Sequence, residues 1–432
     1  MIYYPKASGS VLEDTRGIQD AIDAASRQGG GTIFLSAGQS YCCGTLILKN
    51  HITLHLENGA RLVASPNLED FRQGGAVDTD ETREVGTPVL RKPAFAFLYA
   101  YDAESVVISG EGTIDGNCYQ FVKRVSPYHY AGDFYPRVTL IYTEKCNKLS
   151  VRGITLVDSP FWSLHMAGCS NVLVEGITIM NPLDVANSDG IDPDHCTNVR
   201  IIGCHISCAD DCICLKNTEG NKDYPPTKGI IISDCTLTST SAAIKIGTEG
   251  VDDFSDILVH HCIISRSNRG ISIQVRDQGS VRNVHFSDIL IETRLFSDEY
   301  WGKAECIAIT SFNRNTKITS GTISDVYFNR IFTHGESGVF IASDGEKIRN
   351  IGFDDVSVHL EKTSKWPLCG YDLRPRQAKP FLLDRPVSAF FVHMAKEVQF
   401  SRVKAKIAQR QISDGVLVSE HATIQGEVQD AS

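Results

Sequence analysis

A short alternation of apolar and polar positions returns about every 25 to 30 residues along most of the 432-residue chain. When the segments around Val151, Val174, Ile201, Ile232, Val259, Phe286, Phe328, Phe353 and Phe400 are aligned, apolar residues fall two before each anchor and three and five after it. Alternation with period two is the mark of a strand with one buried face. The phase slips near Gly203 and its equivalents, which predicts a bend between two short strands in each repeat. A second strand family lies between the anchors, with an inward column through Ile191, Ile213, Ile244, Ile271 and Ile307. Its outward residues form two columns. Asp189, Asp211, Ala242, Arg269 and Glu305 make one, and Asp192, Lys245 and Ser272 make the next. Strands this short and regular, broken by Gly, Asn and Asp turns, predict an all-β solenoid of stacked coils.

The expected organisation is one parallel β-helix domain over residues 1–432, with the main coils at about 94–405 and an insertion-bearing coil at 292–325. An N-terminal cap is expected at about 12–30: Asp14 opens a helix that runs through Arg27, Ile18, Ala21, Ile22 and Ala25 share a face, and Gly29 to Gly31 end it. Ile154, Ile177, Cys204, Cys235, Cys262, Ile289, Ile331 and Val356 occupy one column pointing into the core. Its three cysteines read as small buried hydrophobes, as do Cys212 and Cys214, and no Cys-x-x-Cys pair supports zinc.

Composition narrows the class. Hydrophobic residues at 42% and charged residues at 22% supply a core and argue against disorder. A net charge of −10 argues against nucleic acid as partner. No apolar run approaches the roughly 18 residues of a membrane span. The N-terminus lacks the charged start and apolar stretch of a signal peptide, so a cytoplasmic location and reduced thiols are expected.

The chemistry concentrates in Asn187-Ser-Asp-Gly190 and Asp210-Asp211, which lie one repeat apart. With coils stacking at about 4.8 Å, the Asp189 and Asp211 carboxylates would stand roughly 5 Å apart. Crowded carboxylates repel one another and raise at least one pKa, so an acid can stay protonated beside an ionised base. Glycosidic cleavage needs that pair. A single Asp in Asn-Ser-Asp-Gly would read as a turn residue; two acidic motifs in register favour a site.

Together with Gly112-Thr-Ile-Asp-Gly116 and Ser159-Pro-Phe-Trp162, these motifs make the chain resemble glycoside hydrolase family 28, the polygalacturonases and their relatives, from the N-terminal cap to about residue 360. The resemblance implies a right-handed parallel β-helix, with Asp210 as general acid and Asp211 and Asp189 as the pair that activates water. It also implies inversion, although a short carboxylate separation would by the general rule suggest retention. Where the family carries Gly-His-Gly, this chain has Ser241-Ala242-Ala243; where the family carries Arg-Ile-Lys, it has Ser272-Ile273-Gln274. Altered substrate recognition on conserved machinery is therefore expected. Lys245 and Arg269 could supply replacement cations, with Lys216 and Arg276 less securely placed. Asp192 and Glu305 complete the expected binding set, and Trp162, Trp301 and Tyr128 could stack on sugar rings. His165 and His195 read as structural.

The expected activity is exo hydrolysis of pectin-derived acidic oligosaccharides. No metal or cofactor is called for, and the expected partner is an oligosaccharide rather than nucleic acid or membrane. Two other classes fit a β-helix. A lyase would hold calcium on Asp189, Asp192, Asp194, Asp210 and Asp211 and use Lys245 or Arg269 as base. A non-catalytic carbohydrate-binding module would need no clustered acids.

Overall fold

The computed structural model describes residues 1–71, 95–132, 137–297, 301–367, 370–377, 379–410 and 413–432; Tyr300 of the expected insertion lies outside them. The chain forms two compact units. Of the described residues, the first holds those within 1–71, 95–210 and 223–225, and the second those within 211–222 and 226–432. Each carries the right-handed parallel β-helix fold, built as a stack of parallel coils.

In the first unit, Val151 pairs with Val174 and Val174 with Ile201, so three expected anchors meet in register. In the second, Ile232, Val259, Phe286, Phe328, Phe353 and Phe400 continue rung by rung. The last four stack ring on ring, with centroids 4.9, 5.0 and 5.5 Å apart. The second strand family behaves alike: Leu164 pairs with Ile191 in the first unit, and Ile213, Ile244, Ile271, Ile307 and Val339 line up in the second. These aliphatic side chains are buried and form the interior.

The bend between the two short strands has a definite backbone cause. Gly153, Gly176, Gly203, Asp234, His261, Asp288, Arg330, Asp355 and Arg402 all adopt left-handed φ between +50° and +70°. One left-handed residue per coil turns the chain and resets the alternation, which is why the pattern slips there. Cys204, Cys235 and Cys262 follow directly and are buried, their thiols donating to the backbone carbonyls of Ile202, Ser233 and His260. They behave as small apolar residues with a weak donor.

Two boundaries differ from expectation. Parallel pairing starts at Ile2–Tyr3 against Thr32–Ile33, continues through Gly31–Leu35 against Ile52–Leu56 and runs to Val428–Asp430, wider than 94–405. The helix spans Val11–Arg27, so Asp14 lies inside it rather than at its start. Its carboxylate accepts from the Ser8 N–H at 2.6 Å, the Ser8 hydroxyl at 2.7 Å and the Cys42 N–H at 3.0 Å. This tertiary duty explains an acidic residue buried on the apolar face beside Ile18, Ile22 and Ala25.

Candidate active site

The chain passes from the first unit into the second between Asp210 and Asp211, so the acidic motifs contribute to both. In the first unit, Asn187 takes a left-handed φ of +57°, which Asn tolerates better than most residues. Its backbone N–H and its Nδ2 donate to Asp210 Oδ2 at 3.2 and 3.4 Å. Its Oδ1 accepts from Arg137 Nη2 at 2.8 Å, while Arg137 Nη1 donates to the Ala186 carbonyl at 2.7 Å. Arg137 is buried, its guanidinium 5.3 Å over the Phe161 ring. Asn181 Nδ2 donates to the Ser188 carbonyl at 3.0 Å and to Ser163 Oγ at 2.8 Å. Every residue of the turn before Asp189 is thus held from outside the turn. Asp189 is buried, whereas Asp210 is partly exposed. A residue that delivers a proton to a leaving group needs that access.

Asp192 lies in strand Ile191–Asp194, in register with His165. Both are buried, and His165 Nε2 meets Asp194 Oδ2 at 3.1 Å, giving this histidine the structural partner expected of it. Trp162 is 3% exposed, stacked on Phe161 at 5.4 Å and edge-on to His165 at 4.7 Å. The tryptophan is therefore placed within an aromatic packing array.

In the second unit, Asp211 is buried and fully engaged. Lys245 Nζ donates to its Oδ2 at 2.7 Å; the Ser241 hydroxyl and the Ala242 N–H donate to its Oδ1 at 2.9 and 3.2 Å. Burial alone would push the Asp211 carboxyl up, but the charges of Lys245 and Lys216 and the bonds from Lys245 and Ser241 outweigh it and hold it below the usual carboxylate range. Asp211 is therefore ionised at neutral pH. Lys216 Nζ lies 3.5 Å from Glu249 Oε2, and Glu249 is likewise held low against burial by Lys216, Arg314 and Lys245.

Arg269 follows Ala242 in register, as its column predicts, and is 2% exposed. Its Nε donates to Glu305 Oε2 at 3.1 Å and its Nη2 to the Asp372 carbonyl at 2.8 Å. Glu305 also accepts the N–H groups of Lys303 and Asp372 at 2.7 and 2.9 Å. The charges of Arg269 and Glu305 are thus matched inside the protein. Trp301 is half-buried, and its carbonyl accepts from Asn268 Nδ2 at 2.8 Å.

The structure brings together Asp210 with the Asn187 turn, Asp211 with Lys245, and Arg269 with Glu305. Sequence reasoning missed Arg137, Asn181 and Asp372. Asn187 and Ser241 stood inside quoted motifs and could have been read as carboxylate holders, because short polar side chains bond their neighbours locally. Asp372 lies outside every repeat and gave no signal.

The family model described as "Glycosyl hydrolases family 28" matches residues 71–367. A protein described as "Probable polygalacturonase" from Vitis vinifera is 30% identical over 292 residues, 65% of this chain and 58% of its own length. An "Endo-polygalacturonase" from Pectobacterium carotovorum subsp. carotovorum is 27% identical over 84% of this chain and 87% of its own. Among solved structures, a Yersinia enterocolitica "Family 28 Exopolygalacturonase" superposes with a TM-score of 0.65 at 17% identity, covering 96% of this chain and 75% of its own. The chain thus spans a little over half the length of its first-named relative.

Proposed function

The chain belongs to glycosyl hydrolase family 28, and on that footing we propose that it hydrolyses glycosidic bonds in pectin-derived acidic oligosaccharides, acting from chain ends with inversion. Asp210 is the general acid, and Asp211 with Asp189 takes a proton from the attacking water. The water oxygen bonds to the anomeric carbon as the bond from that carbon to the leaving oxygen breaks. The leaving oxygen keeps the electron pair and receives the Asp210 proton. The observation that carries this reading is the contrast between two consecutive residues: Asp211, buried and held ionised by Lys245, and Asp210, open enough to exchange its proton. Lys245 and Ser241 position the base, and Arg137 with Asn187 positions the acid. Trp301 offers a ring face to a sugar. The changed segments Ser241–Ala243 and Ser272–Gln274 motivate exo action on short substrates.

The test is product analysis on galacturonan, rhamnogalacturonan and neutral oligosaccharides with wild type and Asp210→Asn, with and without chelator. Saturated reducing products from wild type, lost by about a hundredfold or more in the variant, are expected regardless of chelator. Unsaturated, chelator-sensitive products would replace hydrolysis with lyase chemistry. A viscosity collapse of long polymer ahead of end-group release would overturn exo action.

A further inference from the structure

One strand of the second unit carries polar groups that its own fold leaves unanswered. In Arg269–Val275 and the residue after it, Ile271, Ile273 and Val275 point into the aliphatic interior. The alternate residues Ser272, Gln274 and Arg276 face the other way, yet all three are fully buried. Each leaves one polar atom without a hydrogen-bond partner among the described residues: Ser272 Oγ, Gln274 Oε1 and Arg276 Nε. Three such atoms in a row on one strand face are unusual, because buried polar groups are nearly always satisfied. Ser272 lies opposite Lys245 in register, and Arg276 follows about 13 Å further along the strand.

Arg276 differs from its cationic neighbours. Arg269 is paired with Glu305 and Asp372, Arg314 with Asp277, and Arg374 with Asp372. Among the described residues Arg276 donates only to neutral acceptors: the Val275 carbonyl at 2.9 Å, the Thr310 carbonyl and hydroxyl at 3.3 and 3.0 Å, and the Leu373 carbonyl at 3.0 Å. Arg376, partly exposed and in no ion pair among the described residues, though within the field of Asp344, shares a ring with it. Their guanidinium carbons stand 5.8 and 5.2 Å from the Phe312 centroid. Burial and then the charges of Arg376, Arg269 and Arg314 push Arg276 down to about 9, with Asp372 opposing them; three cations thus act on this guanidinium against one carboxylate, and that carboxylate is already paired with Arg269 and Arg374. A buried guanidinium without a counter-charge is costly, and an arriving anion relieves that cost.

Resting on the hydrolase reading above, we propose that Arg276 and Arg376, backed by Phe312, form a subsite for a carboxylate of the substrate, placed away from the cleaved bond. Ser272 and Gln274 lie between it and Lys245 on the same strand face. Carboxylate and guanidinium match in shape, so a uronate is preferred over its methyl ester or a neutral sugar.

The test uses Arg376→Gln, which alters a partly exposed side chain, alongside Arg276→Gln. Rates on acidic oligogalacturonides are compared with rates on the methyl-esterified forms. The acid-to-ester ratio of kcat/KM is expected to fall about tenfold or more in both variants, mainly through KM for the acid. An unchanged ratio in a folded Arg376→Gln overturns the subsite. If wild type turns over no acidic glycan, the hydrolase reading fails separately, and calorimetric titration with trigalacturonate, galacturonate or inorganic phosphate decides the site. Trigalacturonate binding weakened by Arg376→Gln keeps it as a uronate site. Equal competition by phosphate reduces it to a general anion site, and no binding by any of the three overturns it.

Discussion

Replacing Lys245 by Met keeps a long unbranched side chain and removes the ammonium that lies 2.7 Å from Asp211 Oδ2. The partner left behind is buried, with 1% of its side chain exposed, so it cannot recover hydration. Breaking a buried pair by removing one member costs about 3–5 kcal/mol. The lower end applies here, because Ser241 Oγ and the Ala242 N–H still hold Oδ1 and Lys216 still contributes its charge. About 3 kcal/mol corresponds to a rise of about two units in the Asp211 pKa, at 1.36 kcal/mol per unit. The sign follows from linkage. In wild type the Asp211 pKa is depressed in the fold, so its contribution is present above the ordinary carboxylate pKa and is lost as pH falls through the lowered folded value. In the variant the folded pKa rises, so the loss is largest near pH 7 and shrinks as acid protonates the stranded carboxyl. Denaturant unfolding of both proteins at pH 7 and at pH 4, with the pH profile of kcat/KM, measures this. The acid limb should move upward by one to two pH units. An equal stability loss at both pH values, with an unmoved acid limb, would refute the claim that Lys245 sets the charge state of Asp211.

Two further perturbations probe other parts of the framework. Arg137→Met removes the bonds to Ala186 and Asn187 that fix the turn before Asp189, and should lower kcat about a hundredfold with little change in KM, as misplacement of a reacting group does; a variant altered in KM alone would place Arg137 in binding instead. Asp14→Ala removes three hydrogen bonds that tie the helix to Ser8 and Cys42, and should cost about 2–3 kcal/mol in denaturant unfolding. A loss below about half a kcal/mol would show that apolar packing of Ile18 and Ile22 suffices to hold the cap.

Residues one repeat apart become neighbours in a coil stack, so any contact made by stacking leaves a period in the sequence. That is why the anchor columns, the buried cysteines and the left-handed corner at Gly203 could be read without coordinates. The pairing of Ala242 with Arg269 and of Lys245 with Ser272 was legible for the same reason. The acidic motifs were legible through their residue types. Three things came only from tertiary structure. Asp14 was mistaken for a helix start because its partners, Ser8 and Cys42, are chosen by packing rather than by helical spacing. Lys245 stood out as a cation, but only the folded chain showed its charge spent on Asp211. Asp372 and Leu373 reach Arg269 and Arg276 across 103 and 97 residues, from a segment that follows no repeat. A periodic chain announces its core because burial repeats with the coil; a charge finds its counter-charge wherever an irregular loop happens to lie, and no local pattern records that choice.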